Sequence, residues 1–167
     1  MNHSTPGPYS NSALGHQAGK NLTTGWNNTM LGFNAQAAAV NTSHSITLGD
    51  SQIAALRCAT QTITALSDIR DKKEISSLNL GIEFINELKP VNFTWHMRDG
   101  GKVGVYDIGF IAQDLQELEN RYDVKLYTKL VMDDNPERLE ASYGRLLPVM
   151  VKAIQELQAQ VSELRSK

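Results

Sequence analysis

The first 66 residues carry almost no charge. Only Lys20, Asp50 and Arg57 ionise there as Asp, Glu, Lys or Arg, against 14 basic and 17 acidic side chains in residues 67–167. Net charges of about +1 and −3 leave neither part with the basic excess of a nucleic-acid binder. With one cysteine, Cys58, the chain cannot form an intrachain disulfide. No apolar run approaches the roughly 18 residues that span a bilayer. A basic segment followed by an apolar core is missing after Met1, so no secretory leader is expected. Triplets such as Asn21-Leu22-Thr23 and Asn92-Phe93-Thr94 then read as products of an Asn/Thr-rich composition rather than glycan sites. His3, His16, His44 and His96 lack metal-ligand spacing, and no Gly-rich phosphate loop precedes a helix. The expectation is a chain with no metal, no cofactor, no nucleic acid and no membrane among its partners.

What fills the uncharged third is a repeat. Leu14-Gly15, Leu31-Gly32 and Leu48-Gly49 are each 17 residues from the next. The windows Asn11–Gly15, Asn28–Gly32 and Ser45–Gly49 align, as do Ala18 and Ala35. A fixed period with a small residue at one corner predicts one unit stacked repeatedly. Units of this size, rich in Gly, Asn and Thr and without helical periodicity, predict short strands joined by tight turns. About three such coils bury little, so association of several chains around one core is expected. Ile63-Thr64-Ala65-Leu66 reads as a further short strand. The repeat is under way within a few residues of Met1, as expected of a fragment of a longer fibre.

At the border between the two compositions stands Ser67-Asp68-Ile69-Arg70-Asp71-Lys72. A serine and a lysine can act as nucleophile and base, because a lysine in a dry site can give up its proton. A solvated turn, or a helix N-cap at Ser67 or Asp68, is the bland reading of the same residues.

Beyond the border, Leu80, Phe84, Ile85 and Leu88 lie on one helical face, and Pro90 stops that helix at Lys89. Val91, Phe93 and Trp95 alternate with Asn92 and Thr94, a half-buried strand. Arg98-Asp99-Gly100-Gly101 is a turn into a second strand, Lys102 to Tyr106. A short helix through Leu115 and Leu118 follows, then a strand from Val124 to Met132 and a loop at Asp133–Pro136. At the end, Leu147, Ile154 and Val161 alternate with Met150, Leu157 and Leu164 in an a/d heptad series. An amphipathic helix on its own domain is one reading and a coiled-coil seam the other. The strict 3-4 spacing favours the seam. Ile154 and Val161 at a with leucine at d lean toward a dimer. The repeat argues for a trimer and carries more weight. Pro148 is tolerable if the helix starts only a few residues before it.

The spacing of residues 10–53 resembles the left-handed β-rolls of trimeric autotransporter adhesin heads and similar segments of phage tail fibres. Residues 67–167 resemble the C-terminal intramolecular chaperone domain of phage tail spikes and fibres, the endosialidase-type self-cleaving domain. The carriers are Ser67, Asp68, Arg70 and Lys72; Leu88-Lys89-Pro90-Val91; Gly109 to Asp114; and Tyr143-Gly144-Arg145-Leu146-Leu147-Pro148. The resemblance implies a homotrimeric domain that registers the parent fibre stalk in cis. It then cuts itself off between Ser67 and Asp68 in a single turnover, with Ser67 and Lys72 as the dyad. Arg70 would orient a carboxylate or act on Lys72 by like charge. Gln113, by its place in the Gly109–Asp114 motif, is a candidate oxyanion donor or a structural hydrogen-bonding residue. Attack of Ser67 Oγ on its own carbonyl would close a four-membered ring. Water, a Ser67 from a neighbouring chain, or help from the Asp68 carboxylate are the routes left open.

The expected fold class is α+β: a repetitive, trimeric β-roll-like stalk at 1–66, a small chaperone domain at 67–142 and a coiled-coil helix at 143–167. The expected setting is the host cytoplasm during phage assembly, with the stalk kept in the virion tail and the chaperone part released. The alternative is a permanent trimeric fibre tip that binds a host surface. A membrane-anchored transcription factor precursor is a third reading, against which the missing span and missing basic domain both count.

Overall fold

In a computed structural model of the chain, residues 10–60 and 62–167 are described. They form two compact units, one made of 10–55, 91–109 and 132–140, the other of 56–60, 62–90, 110–131 and 141–167. The fold is mixed, with four α-helices and small sheets among the described residues.

In the first unit, β1 (Ser12–Leu14), β2 (Thr29–Leu31) and β3 (Ile46–Leu48) pair in parallel. Ser12 lies opposite Thr29 and Thr29 opposite Ile46, so each rung advances one 17-residue repeat. The repeated asparagine tie explains part of the period. Asn11 Oδ1 accepts the Asn28 backbone N–H at 3.0 Å, and Asn28 Oδ1 accepts the Ser45 N–H at 3.1 Å and its hydroxyl at 2.8 Å. Each side chain thus satisfies a backbone donor of the next coil, which would otherwise be buried unpaired. The corner glycines have a steric reason. Gly15 and Gly32 sit at φ +130° and +113°, and a Cβ on Gly15 would fall 2.4 Å from the Gly32 carbonyl oxygen. Strand alternation sends Met30 inward, to pack with Ala35 and Ala37, while Leu14, Leu31 and Leu48 stand exposed on the opposite face.

The same unit holds an antiparallel hairpin, β4 (Val91–His96) and β5 (Val103–Gly109). Val91, Phe93 and Trp95 are half-buried and Asn92, Thr94 and His96 exposed, as the alternation predicts. The second strand runs three residues further than expected. A register shift separates the Thr94–Tyr106 and His96–Val103 pairs, and Gly104 in that interval takes φ +76°.

The second unit is built on Leu80, Phe84, Leu118, Val124, Leu130, Leu146 and Val149. Helix α1 (Ile82–Glu87) is shorter than the apolar spacing suggests. Leu80 precedes it, and Leu88 is already extended. No side chain of its own caps it. Glu156 reaches in from the last helix, and its carboxylate accepts the Ile82 N–H at 2.9 Å. Helix α2 (Ala112–Tyr122) ends on Asp123 in the left-handed region.

The strand expected from Val124 to Met132 does not form. A short helix, α3 (Lys125–Thr128), takes most of it, and only β6 (Val131–Met132) pairs, with β7 (Glu140–Ala141). The reason is a buried carboxylate and two reversals. Asp123 and Lys129 have φ +53° and +47°, and Glu119 Oε1 accepts both the Thr128 hydroxyl and the Leu130 N–H at 2.6 Å. These bonds hold the segment in a tight arch that an extended run could not make. Nor does Ile63–Leu66 form a strand; all four residues are exposed without ladder partners.

Helix α4 (Leu146–Arg165) follows a 3-10 turn at Tyr143–Arg145, which leaves Pro148 in its first turn. Two of its faces are apolar. Leu146, Val149 and Ala153 are buried, the first two in the core with α1. Leu147, Met150, Ile154, Leu157, Val161 and Leu164, the heptad series, are exposed. After Glu156 the helix is exposed on every side.

Among the described residues no helix is long and apolar enough to cross a membrane, and no three His, Cys, Asp or Glu side chains gather as a metal site. His3 lies outside the described residues.

Candidate active site

The border hexapeptide folds on itself. Asp68, with extended backbone, is the N-cap of a 3-10 turn at Ile69–Asp71. Its Oδ1 accepts the Arg70 N–H at 2.8 Å, the side-chain role that favours aspartate before a helical turn. The Arg70 guanidinium grips the same carboxylate from the side, Nε to Oδ1 at 3.0 Å and a terminal nitrogen to Oδ2 at 2.6 Å. The side-chain and backbone bonds from Arg70 hold the Asp68 carboxyl below the usual carboxylate range. Asp68 in turn raises the guanidinium. The bland expectation of a cap is therefore met at Asp68, and both its carboxylate oxygens are occupied.

The turn brings residue 72 back toward residue 67. The Lys72 N–H closes the turn on the Ile69 carbonyl, and its backbone then runs extended. Lys72 Nζ lies 2.6 Å from Ser67 Oγ and 3.1 Å from the Ser67 carbonyl oxygen. The amine thus touches both the hydroxyl and the carbonyl of the Ser67–Asp68 peptide. Ser67, Arg70 and Lys72 are exposed and Asp68 is half-buried. The single chain does not enclose the pair, so the dry surroundings expected for a lysine base are not supplied by one chain.

Gln113 lies exposed in the first turn of α2, and among the described residues no hydrogen bond joins it to Ser67 or Lys72. The other motifs hold one another. Lys89 pairs with Asp114 at 4.0 Å. The Tyr143 ring meets Phe110 edge-on at 5.3 Å, and its hydroxyl accepts the Phe110 N–H at 3.1 Å. Leu88–Pro90, Phe110–Asp114 and Tyr143–Pro148, far apart in sequence, thus lie on one unit. Sequence reasoning did not single out Glu119 and Glu156.

Residues 67–130 match the family model Peptidase_S74, described as the chaperone of endosialidase. The match begins at Ser67, where the charge of the chain changes. No curated protein and no solved structure gives a match. In class, this stretch is similar to a peptidase family and, more narrowly, to the intramolecular chaperone domain of endosialidase.

Proposed function

We propose that residues 67–167 trimerise, hold three copies of the stalk at 1–66 in register while they fold, and then separate by hydrolysis between Ser67 and Asp68. The parent is a phage tail fibre or spike, assembled in the host cytoplasm. The stalk stays with the virion and the chaperone part leaves. Within it, 67–142 is the self-cleaving domain and 143–167 the trimerising helix. Ser67 and Lys72 form the dyad and work once per chain.

The observation that carries this reading is the contact of Lys72 Nζ with both Ser67 Oγ and the Ser67 carbonyl, at the first residue of the family match. Association is supported from two sides. Beyond Glu156, α4 is a short helix without neighbours of its own, and isolated helices of that length are marginal in water. Its exposed a/d residues supply a seam for partner helices. In the stalk, Leu14, Leu31 and Leu48 form an exposed apolar column along the parallel rungs, which a shared β-roll core would cover.

Register explains why a chaperone is needed. A multi-chain β-repeat must find one alignment among several that differ by a rung, and non-local pairing is slow. A trimeriser at the end raises the effective concentration and sets that alignment. Cutting it away then leaves no route to unfold through that end.

The test is the intact mass of the purified chain and of Ser67→Ala. The wild type should yield fragments 1–67 and 68–167, and Ser67→Ala should remain whole yet trimeric. A wild-type trimer that stays whole would favour a permanent fibre tip.

A further inference from the structure

We propose that the hairpin turn at Arg98–Gly101 and the loop at Asn135–Arg138 form a clasp on the last stalk coil, which holds the two cleavage products together until it opens. The inference rests on the reading above and adds a step to it. Hydrolysis between Ser67 and Asp68 breaks the covalent link, and opening of the clasp lets the chaperone part leave.

The first compact unit is built from both sides of that bond. Residues 10–55 stand before it, and 91–109 and 132–140 after it. The connection that carries the bond has little structure of its own. Residues 52–60 and 62–67 are exposed and form no helix or strand. A cut after residue 67 therefore severs the connection and leaves the contacts of the unit in place.

Those contacts are specific. Asn135 Nδ2 donates to the Ala38 carbonyl at 2.9 Å, from 97 positions away in sequence. Its loop presets it for this. Asn135 Oδ1 accepts the Glu137 N–H at 3.0 Å, and its carbonyl accepts the Arg138 N–H at 2.9 Å. At the hairpin turn, the Asp99 carboxylate accepts the Gly101 N–H at 2.9 Å and also the Ser51 hydroxyl. The Gly101 bond foremost, then Ser51, hold that carboxyl below the usual carboxylate range. Arg138 lies 3.7 Å from Asp99, and the Arg98 guanidinium donates to the Glu137 carbonyl, so turn and loop brace each other. Gly101 marks the closest approach. A Cβ there would fall 2.2 Å from Ser51 Oγ and 2.9 Å from the Ser51 carbonyl carbon. Ala38 lies between β2 and β3, and Ser51 just beyond β3, the last rung of the sheet. The partner of this surface is thus the end of the stalk, uncharged but rich in backbone and hydroxyl groups that need hydrogen bonds.

The experiment takes two readings on the full chain after incubation. Intact mass under denaturing conditions counts the 1–67 and 68–167 fragments. Size exclusion under native conditions shows whether they travel together. Both are repeated on Asn135→Ala, Gly101→Ala and the double variant. Ser67 and Lys72 are untouched in all three, so the rate of cutting should match the wild type. Wild-type fragments should co-elute. One lost hydrogen bond weakens binding about two- to tenfold, which three chains acting together compound to roughly tenfold to a thousandfold. Asn135→Ala should therefore shed 68–167 at least about tenfold faster than the wild type, and the double variant should elute as separate fragments. Amide protection of α1 and α2 checks that shedding is not unfolding. Loss of that protection in Gly101→Ala leaves the Asn135→Ala arm to decide.

Wild-type fragments that part as fast as they form would overturn the clasp, as would a double variant that keeps its fragments as long as the wild type does. If the wild type is not cut at Ser67–Asp68, the cleavage reading fails by itself. Brief trypsin treatment at Arg57, Arg70 or Lys72, all exposed, then makes the break. Co-elution of the trypsin products in the wild type and their separation in the double variant would still support the clasp, and separation in both would refute it.

Discussion

Replacing Ile154 and Leu157 by asparagine should dissociate the assembly while leaving the folded unit that each chain builds alone. In the single chain these residues keep 63% and 54% of their surface. Full burial of such a side chain stabilises by about 1.5–3 kcal/mol, so covering the remaining area is worth about 1–2 kcal/mol per residue. In the proposed trimer, two positions on three chains would therefore contribute about 6–12 kcal/mol to the seam. That is comparable with the 4–15 kcal/mol or so that association costs, so its loss should be decisive. The opposite face of the same helix is a control. Val149 is buried in the core with Phe84 and Leu146, and Val149→Ala should cost about 2 kcal/mol of the unit's own stability. Sedimentation velocity on the full chain reads the association, and amide hydrogen exchange reads the fold. The double variant should sediment as a monomer with α1, α2 and the first half of α4 still protected and 157–165 exchanging fast. A double variant that stays trimeric, or a wild type that is a well-folded monomer, would refute the seam.

Three other outcomes follow from the geometry. Residues 1–66 expressed alone should not form a heat- and SDS-resistant trimer, whereas the stalk cleaved from the full chain should. Equal resistance of the two on gels would remove the chaperone role. Phe84→Ala should destabilise the second unit by about 3–5 kcal/mol in urea unfolding, because the ring is fully buried and edge-on to Tyr122 at 5.1 Å. The capped turn at Asp68 should respond to acid. Arg70 lowers the Asp68 carboxyl in the folded turn, so the cap contributes above the ordinary carboxylate value of about 4 and is lost as pH falls through the lowered one. The Arg70 amide shift in NMR should stay constant down to about pH 4 and move only below it. A midpoint above that would contradict the Asp68–Arg70 bonds.

Much of this protein was legible because its signals are local or periodic. The 17-residue spacing of Leu-Gly became the register of β1, β2 and β3, since a parallel rung needs only that each coil be the same length. Val91, Phe93 and Trp95 alternate as read, because period 2 depends on the strand alone. Ser67 and Lys72 meet because one turn spans the five residues between them. The heptad series was visible as a stripe, because its 3-4 spacing depends on the helix alone.

The tertiary structure decided what depends on groups far apart. The reading of α4 as either a helix on its own domain or a seam resolved into two faces, Leu146, Val149 and Ala153 inward and the heptad series outward. Only the position of α1 determines which apolar residues are covered. Glu156 caps a helix 74 residues earlier, and no local pattern encodes a carboxylate brought from another element to an orphan N–H. Glu119 turned an apparent strand into α3, because a buried carboxylate must find donors and took those of Thr128 and Leu130. Propensity reads each residue against its neighbours in sequence. Burial sets the cost of an unpaired polar group, and burial is a property of the whole fold.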